Sequence, residues 1–165
     1  VILARYQGRR ISDWVDAIVE EWMGLRVNRE KTRIVTLTEA GASLDFLGYT
    51  FRYEPDQFGR AKRYLARSPS ANACARERAK LRTLISTKRA FQPAPELIGA
   101  VNQQVRGWAN YFGRGRSRPA FRRMNWFLQQ RLVRHLKRRS QRPYRPPPGV
   151  SWYAHLYKQL GLVQL

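Results

Sequence analysis

The sequence predicts an α+β protein, in which a small sheet with one covering helix is followed by a mainly α-helical part. Two observations support this division. Segments rich in β-branched and aromatic residues and one amphipathic helix occupy residues 1–66, whereas apolar residues recur at helical spacing from 67 onward. The charge changes at the same point. The first part contains 11 Lys and Arg residues and 9 Asp and Glu residues, whereas the second part contains 21 Lys and Arg residues and only 2 Asp and Glu residues. The two parts are therefore expected to have different roles.

The formal charge of +21 and the pI near 11.4 favour a polyanionic partner. Nucleic acid is the predicted partner, because each neutralised phosphate releases counterions. A membrane surface or an acidic protein is the alternative. No window reaches the roughly 18 apolar residues of a membrane-spanning helix, so none is predicted, and nucleic acid is preferred over a membrane as the partner.

Cysteine and histidine are too few for a metal centre. Cys74 is the only cysteine, which excludes an intramolecular disulfide and suits a reducing, cytoplasmic location. His135 and His155 are the only histidines, and each is predicted to lie on a helix surface. No metal site is predicted.

The first part begins with an apolar run at residues 1–4 that is typical of a buried strand. Apolar residues then recur along one face of a helix at 11–22, which Gly24 ends. Its Trp14 and Trp22 are predicted to be core residues that cover the sheet. Extended segments follow at 25–28, 33–38 and 44–51, and a charged turn at 52–62 leads to a short strand at 63–65.

The second part is predicted to contain helices at 68–86, 95–112 and 117–139, a stiff proline-rich connector at 142–149 and a short closing helix at 152–160. The helix at 95–112 has the clearest apolar stripe. Its phase predicts that Trp108 and Phe112 belong to the core. Asn110 and Tyr111 lie off the stripe and are better candidates for contact with unpaired RNA bases.

A basic junction joins the second and third of these helices, with the sequence RGWANYFGRGRSRPAFRR at residues 106–123. Charge runs are usually solvated faces on which opposite signs alternate. No acidic residue occurs between Arg114 and Arg145, so phosphate contact is the better interpretation. The predicted RNA-binding residues are Arg106, Asn110, Tyr111, Arg114, Arg116, Arg118, Arg122, Arg123, Arg131 and Arg134.

Two motifs in the first part resemble the distal palm of group II intron reverse transcriptases. They are GLRVNREKT at residues 24–32 and FLGY at 46–49. Residues 1–3 resemble the strand that leaves the catalytic Tyr-Ala-Asp-Asp turn of that family. The resemblance implies that the metal-binding aspartates lie upstream of Val1, so this chain alone is expected to have no polymerase activity.

The same resemblance implies roles for particular residues. Lys31 would be an accessory catalytic cation near the nucleotide site of an intact polymerase; a solvated turn lysine is the alternative. The segment Phe46, Leu47, Gly48 and Tyr49 would form a primer-gripping hairpin, in which the glycine lets a nucleic-acid backbone approach. A buried hairpin strand is the alternative for this segment.

The motif RGWANYF at residues 106–112 resembles the maturase-specific domain of the same family, together with the Ser-Pro start at 68–69 and the arginine-rich helix that follows. The resemblance extends to about Arg139. It divides the chain into a reverse transcriptase palm remnant (1–66), a helical thumb/maturase domain (67–141) and a proline-rich linker with a short C-terminal helix (142–165).

The resemblance implies a fragment of an intron-encoded protein of a mobile element. The fragment would bind structured group II intron RNA and assist its folding and splicing without a cofactor. The alternative is the covered part of an active RNA-directed DNA polymerase, which would need Mg²⁺ and could also bind a DNA target or an RNA–DNA hybrid. A generic basic RNA-binding protein is a third interpretation, which the ordered palm motifs disfavour. The oligomeric state stays open.

Overall fold

A computed structural model of the chain describes residue 4 and residues 8–56, 60–142 and 144–165. The chain forms two compact units, Val1–Thr36 and Leu37–Leu165. Helices and a small antiparallel sheet occur together, so the predicted α+β class is confirmed. The predicted division between residues 66 and 67 falls inside a strand and stays a prediction. The strand predicted at 1–4 lies, except for Ala4, outside the described residues.

The first unit contains the predicted amphipathic helix. Helix α1 spans Arg9–Asp16 and continues as a π-helical segment, Ala17–Trp22. Gly24 follows at φ +64°, a left-handed conformation that suits glycine at a helix end. Trp14 and Trp22 are 61% and 79% exposed, so the prediction that both are core residues is wrong. No strand occurs among the described residues of this unit, so these residues do not contain the sheet that the tryptophans were predicted to cover.

The second unit begins with a three-stranded antiparallel sheet in the order β1-β2-β3. Its strands are β1 (Leu44–Phe46), β2 (Tyr49–Pro55) and β3 (Arg63–Pro69). The single strand predicted at 44–51 is in fact two strands. Leu47 and Gly48, at φ +49° and +79°, form the two-residue turn between them. Leucine is uncommon at positive φ, so the sequence carried little signal for a turn at this point.

The three predicted long helices are present. They are α2 (Ala71–Leu84), α3 (Ala94–Phe112) and α4 (Arg118–Arg138). The Ser70 hydroxyl caps α2 by accepting a hydrogen bond from the Ala73 amide at 3.1 Å. A short 3₁₀ helix, Thr87–Arg89, lies in the predicted linker before α3. Leu81, Val101 and Leu128 are fully buried, one from each long helix, and they belong to one common core.

The C-terminal segment packs on the same core. Helix α5 (Trp152–Ala154) continues as a π-helical segment, His155–Gln159, so the predicted closing helix is confirmed. Leu156 and Leu162 are buried in the core that α2, α3 and α4 share. Among the helices that the structure describes, none is both long and apolar enough to cross a lipid bilayer.

Candidate nucleic-acid interface

The FLGY hairpin and the RGWANYF helix, which the sequence presented as separate motifs, contact each other. The Tyr49 hydroxyl donates a hydrogen bond to the carbonyl oxygen of Tyr111. In return, the Tyr111 hydroxyl donates to the carbonyl oxygen of Leu47 at 2.9 Å. The ring of Tyr49 also packs against that of Phe112, with 4.9 Å between the centroids. The hairpin is therefore fixed to the C-terminal end of α3.

The structure explains why residue 48 is a glycine. A Cβ atom at this position would lie 3.2 Å from Cζ of Phe112, and the residue also needs its positive φ. The absence of a side chain at Gly48 therefore makes room for the ring of Phe112, and the approach of a nucleic-acid backbone to this glycine stays a prediction. Leu47 is exposed at the hairpin tip. The primer-gripping role of the hairpin stays a prediction.

The basic loop after α3 rests on strand β3. The Arg116 amide donates to the carbonyl oxygen of Arg67 at 2.8 Å. Gly115, at φ +108°, passes so close that an added Cβ would lie 2.5 Å from that oxygen. The Ser117 hydroxyl donates to the carbonyl oxygen of Phe112. These contacts position the loop and the start of α4 against the sheet.

Arg116 has an acidic partner that the sequence did not reveal. Its guanidinium forms an ion pair with Glu54 of β2, whose side chain is buried at 7% exposure. Arg52 also pairs with this carboxylate, with 2.5 Å between Nη2 and Oε1. The prediction that Arg116 is uncompensated is therefore wrong. Its partner lies 62 positions earlier in the chain and is brought close only by the fold.

We expect Arg116→Gln to lower the free energy of unfolding by about 1–3 kcal/mol, because the buried Glu54 carboxylate would lose a charged partner. Arg114→Gln removes the same charge from the same loop, at an exposed position without an ion pair among the described residues. It should change stability by less than about 0.5 kcal/mol. Urea unfolding of both variants measures the difference, and equal stabilities would show that the Arg116–Glu54 pair does not form.

Helix α4 carries a continuous exposed ridge. Residues four positions apart along a helix are neighbours on its surface, and six such residues are all exposed. The ridge is about 30 Å long at 1.5 Å per residue. We call it the α4 ridge, and it consists of Arg118, Arg122, Trp126, Gln130, Arg134 and Arg138.

Trp126 is a further candidate for RNA contact that is not among the residues predicted from the sequence. It is 67% exposed in the middle of the α4 ridge, with arginines on both sides along the same row. The spacing of 118, 122 and 126 was a usable signal, since it places Trp126 on the row of the predicted arginines. An exposed tryptophan among arginines can stack on unpaired bases.

The arginines of the α4 ridge have no acidic partners within the part of the chain that the structure describes. The same is true of Arg114 and Arg123, which are exposed beside it. Of the predicted RNA contacts, the ridge unites Arg118, Arg122 and Arg134. The other five candidates lie elsewhere: Arg106, Asn110 and Tyr111 are exposed on α3, Arg131 is partly buried on α4, and Arg116 is paired with Glu54.

An open groove of about 740 Å³ lies beside the loop, between β3 and the first turn of α4. Aromatic and cationic side chains line it together, which is the combination that RNA-binding proteins use for unpaired nucleotides. Its lining includes Phe51, Tyr64, Leu65, Arg67, Arg118 and Pro119.

Lys31 lies in the first unit, in a turn that Asn28 organises. The Asn28 side-chain oxygen accepts a hydrogen bond from the Lys31 amide at 3.0 Å, and the Asn28 carbonyl accepts from the Thr32 amide at 2.9 Å. Arg29 pairs with Asp16 at 3.0 Å and with Glu20 at 3.4 Å, and these contacts, that of Asp16 first, raise the pKa of its guanidinium. The Lys31 side chain is exposed, and its accessory catalytic role stays a prediction.

Metal-ligating side chains are sparse. The described residues hold no group of three or more His, Cys, Asp and Glu side chains that could bind a metal ion. These residues therefore do not fit the Mg²⁺ site of an intact polymerase, and we derive no chemical step through this ion.

The fold and the interface define a basic α+β protein with a helical core and an exposed cationic ridge. Residues 75–147 match the family model of the group II intron maturase-specific domain, so this part of the chain is similar to that domain. The match confirms the family recognised from the sequence and extends past Arg139. No curated protein matched the chain significantly. Residues 1–66 lie outside the match, and their relation to a reverse transcriptase palm stays a prediction.

Proposed function

We propose that this chain binds structured group II intron RNA through the α4 ridge and the preceding loop, and thereby assists folding and splicing of the intron. The observation that carries the proposal is the row of uncompensated, exposed arginines within the maturase-specific domain. Guanidinium groups without acidic partners are free to form bidentate contacts with phosphates. The proposed location of this activity is the cytoplasm, in keeping with the single cysteine.

The sheet contributes by fixing the geometry of this surface. The contacts of β3 with Gly115 and Arg116 position the loop, and the buried Glu54 holds the Arg116 guanidinium. A preorganised cationic surface loses less conformational entropy on binding than a flexible one. Arg116 therefore acts in the proposal mainly by supporting the loop, and Arg114, Arg118 and Arg122 contact RNA.

A second candidate function concerns the hairpin. Leu47 is 68% exposed at the tip of a tight turn, as expected of an element that grips a nucleic-acid strand. In an intact polymerase that contains the catalytic aspartates, this hairpin would contact a primer, with a DNA target or an RNA–DNA hybrid as partner. This proposal rests on the FLGY motif and the hairpin geometry.

The RNA-binding proposal is tested by the salt dependence of affinity. We expect the triple variant Arg114→Gln, Arg118→Gln and Arg122→Gln to weaken binding to intron RNA. The slope of log affinity against log salt concentration should fall by about 2–3, since each lost phosphate contact removes about 0.7–0.9. Fluorescence anisotropy with labelled intron RNA at several salt concentrations gives this slope, and circular dichroism verifies the fold.

A matched control removes three exposed cations elsewhere, with Arg9→Gln, Arg10→Gln and Lys158→Gln. Its net charge equals that of the triple variant, so any difference reports position and not total charge. We expect this control to keep most of the wild-type slope. Equal losses in both variants would contradict the assignment to the ridge and loop and would indicate unspecific attraction by the whole charge.

A further inference from the structure

A small cavity of about 120 Å³ lies at the C-terminal end of α4, beside the segment that leads from α2 to α3. Five basic side chains of α4 and its C-terminal end line it, and the opposite side is formed by Ile85, Thr87 and Ala90. The basic residues are Arg131, Arg134, His135, Arg138 and Arg139. Two of them, Arg134 and Arg138, also belong to the α4 ridge, so the cavity continues that surface.

Two of the residues that line this cavity carry buried polar atoms without partners. His135 is only 8% exposed, so the prediction that it lies on a helix surface is wrong. Its Nε2 atom is buried without a hydrogen bond among the described residues. The Nε atom of Arg131 is buried without a partner in the same way. A buried polar group left unpaired is destabilising, and a hydrogen bond to a bound ligand offsets that cost. Arg139 is held in place, because its Nη2 donates to the carbonyl oxygen of Gln92 at 2.9 Å.

The charges around the cavity are all of one sign. No carboxylate lines it among the described residues, and no acidic residue occurs after Glu96 in the sequence. Burial lowers the pKa of His135 below its usual value, and the charges of Arg139 and Arg131 lower it further. A cluster of guanidiniums around a neutral imidazole suits an anion with several acceptor oxygens.

We propose that this cavity binds a single phosphate group, and that in the RNA complex this group is a backbone phosphate of the bound RNA. The assignment to an RNA phosphate rests on the proposed function, whereas the binding of a phosphate group does not. The phosphate oxygens would accept hydrogen bonds from the guanidiniums and from His135, and Thr87, which lines the opposite side, would offer its hydroxyl as a further donor.

Anion binding should be linked to a proton on His135. Without an anion, the lowered pKa keeps the imidazole neutral near pH 7. A bound anion offsets the repulsion from the arginines and favours the charged imidazolium, which raises the pKa. Affinity is then highest below the pKa of the free protein and falls as the pH rises through the pKa of the complex. The groups that take part in this balance are Arg131, Arg134, Arg138, Arg139 and the anion itself.

The test uses the full chain with isotope-labelled histidines. Sulfate is the probe, since it stays a dianion across the pH range in which histidine titrates. We expect sulfate, against chloride at equal ionic strength, to raise the pKa of His135 by about 1 unit, which corresponds to tenfold tighter binding at low pH than at high pH. His155 is the internal control, because Tyr144 and Gln159 already hydrogen-bond its ring. Its ring signals should not move when sulfate is added.

Variants of exposed residues test the cavity without disturbing the core. Arg134→Gln with Arg138→Gln should weaken sulfate binding at least fivefold, and Arg76→Gln with Lys158→Gln, at exposed positions that do not line the cavity, should leave it unchanged. Saturating intron RNA should move the His135 signals in the same direction as sulfate and displace sulfate.

The outcomes separate this inference from the proposed function. If sulfate does not shift His135 saturably, the phosphate site is wrong, even where RNA binds normally. If sulfate binds but RNA leaves the His135 signals unmoved, the assignment to an RNA phosphate is wrong. If sulfate binds saturably and no RNA binds at all, the cavity stands and the proposed function fails.

Discussion

Replacing Gly115 by alanine is expected to lower the free energy of unfolding of the Leu37–Leu165 unit by about 2–5 kcal/mol. Two effects add at this residue. Its φ of +108° is outside the region that other residues adopt, and the new Cβ would lie 2.5 Å from the Arg67 carbonyl oxygen and 2.6 Å from its Cγ. That oxygen accepts the hydrogen bond of the Arg116 amide, so relief of the clash would detach the loop from β3.

Substitutions at two other glycines separate the effect of the positive φ from the effect of the steric clash. Gly149 also has a positive φ, +78°, but nothing lies within 4 Å of an added Cβ, so Gly149→Ala reports the backbone effect alone, about 1–2 kcal/mol. Gly99 lies within α3 with open space around it, and Gly99→Ala should stabilise the chain by about 0.5–1 kcal/mol. Urea unfolding gives all three values. A Gly115→Ala variant no less stable than Gly149→Ala would rule out the close contact with Arg67.

The sequence predicted the helices well because their signals are local. The apolar stripe of α3 placed Trp108 and Phe112 in the core, and both are buried. Ser70 and Gly24 mark helix ends through capping chemistry that depends only on neighbouring residues. Tyr111 was correctly placed off the stripe, although its hydroxyl is engaged by the hairpin.

The errors concern contacts between residues far apart in the chain. The partner of Arg116 is Glu54, and nothing in the local pattern of either residue indicates the other. Helical phase showed that Trp14 and Trp22 share one face with apolar neighbours, but phase does not show what covers that face. The cavity beside His135 was missed for the same reason, since its walls come from α4 and from residues 85–90.

The C-terminal segment is held by two asparagines. Asn102 of α3 donates to the Gly161 carbonyl and accepts from the Val163 amide, both at 2.8 Å. Asn125 of α4 donates to the Leu165 carbonyl at 2.9 Å and accepts from its amide at 3.1 Å. Each side-chain amide thus pairs with backbone groups of an irregular segment, in which the Leu162 amide also donates to the Leu156 carbonyl oxygen at 2.9 Å. The segment was expected only to contain a short helix, because an asparagine within a helix gives no indication of such a partner.

We expect Asn102→Ala with Asn125→Ala to lower the free energy of unfolding by about 2–4 kcal/mol, because four backbone groups of the segment lose their partners. Hydrogen exchange at residues 161–165 should become at least tenfold faster, since the segment would open while Leu156 still anchors its start. Asn110→Ala is the matched control on α3, exposed and without a hydrogen bond to the segment, and should change neither quantity. Unchanged exchange in the double variant would mean that apolar packing of Leu156 and Leu162 alone holds the segment. Faster exchange with unchanged RNA affinity would show that the α4 ridge keeps its geometry when the C-terminal segment is no longer held by these asparagines.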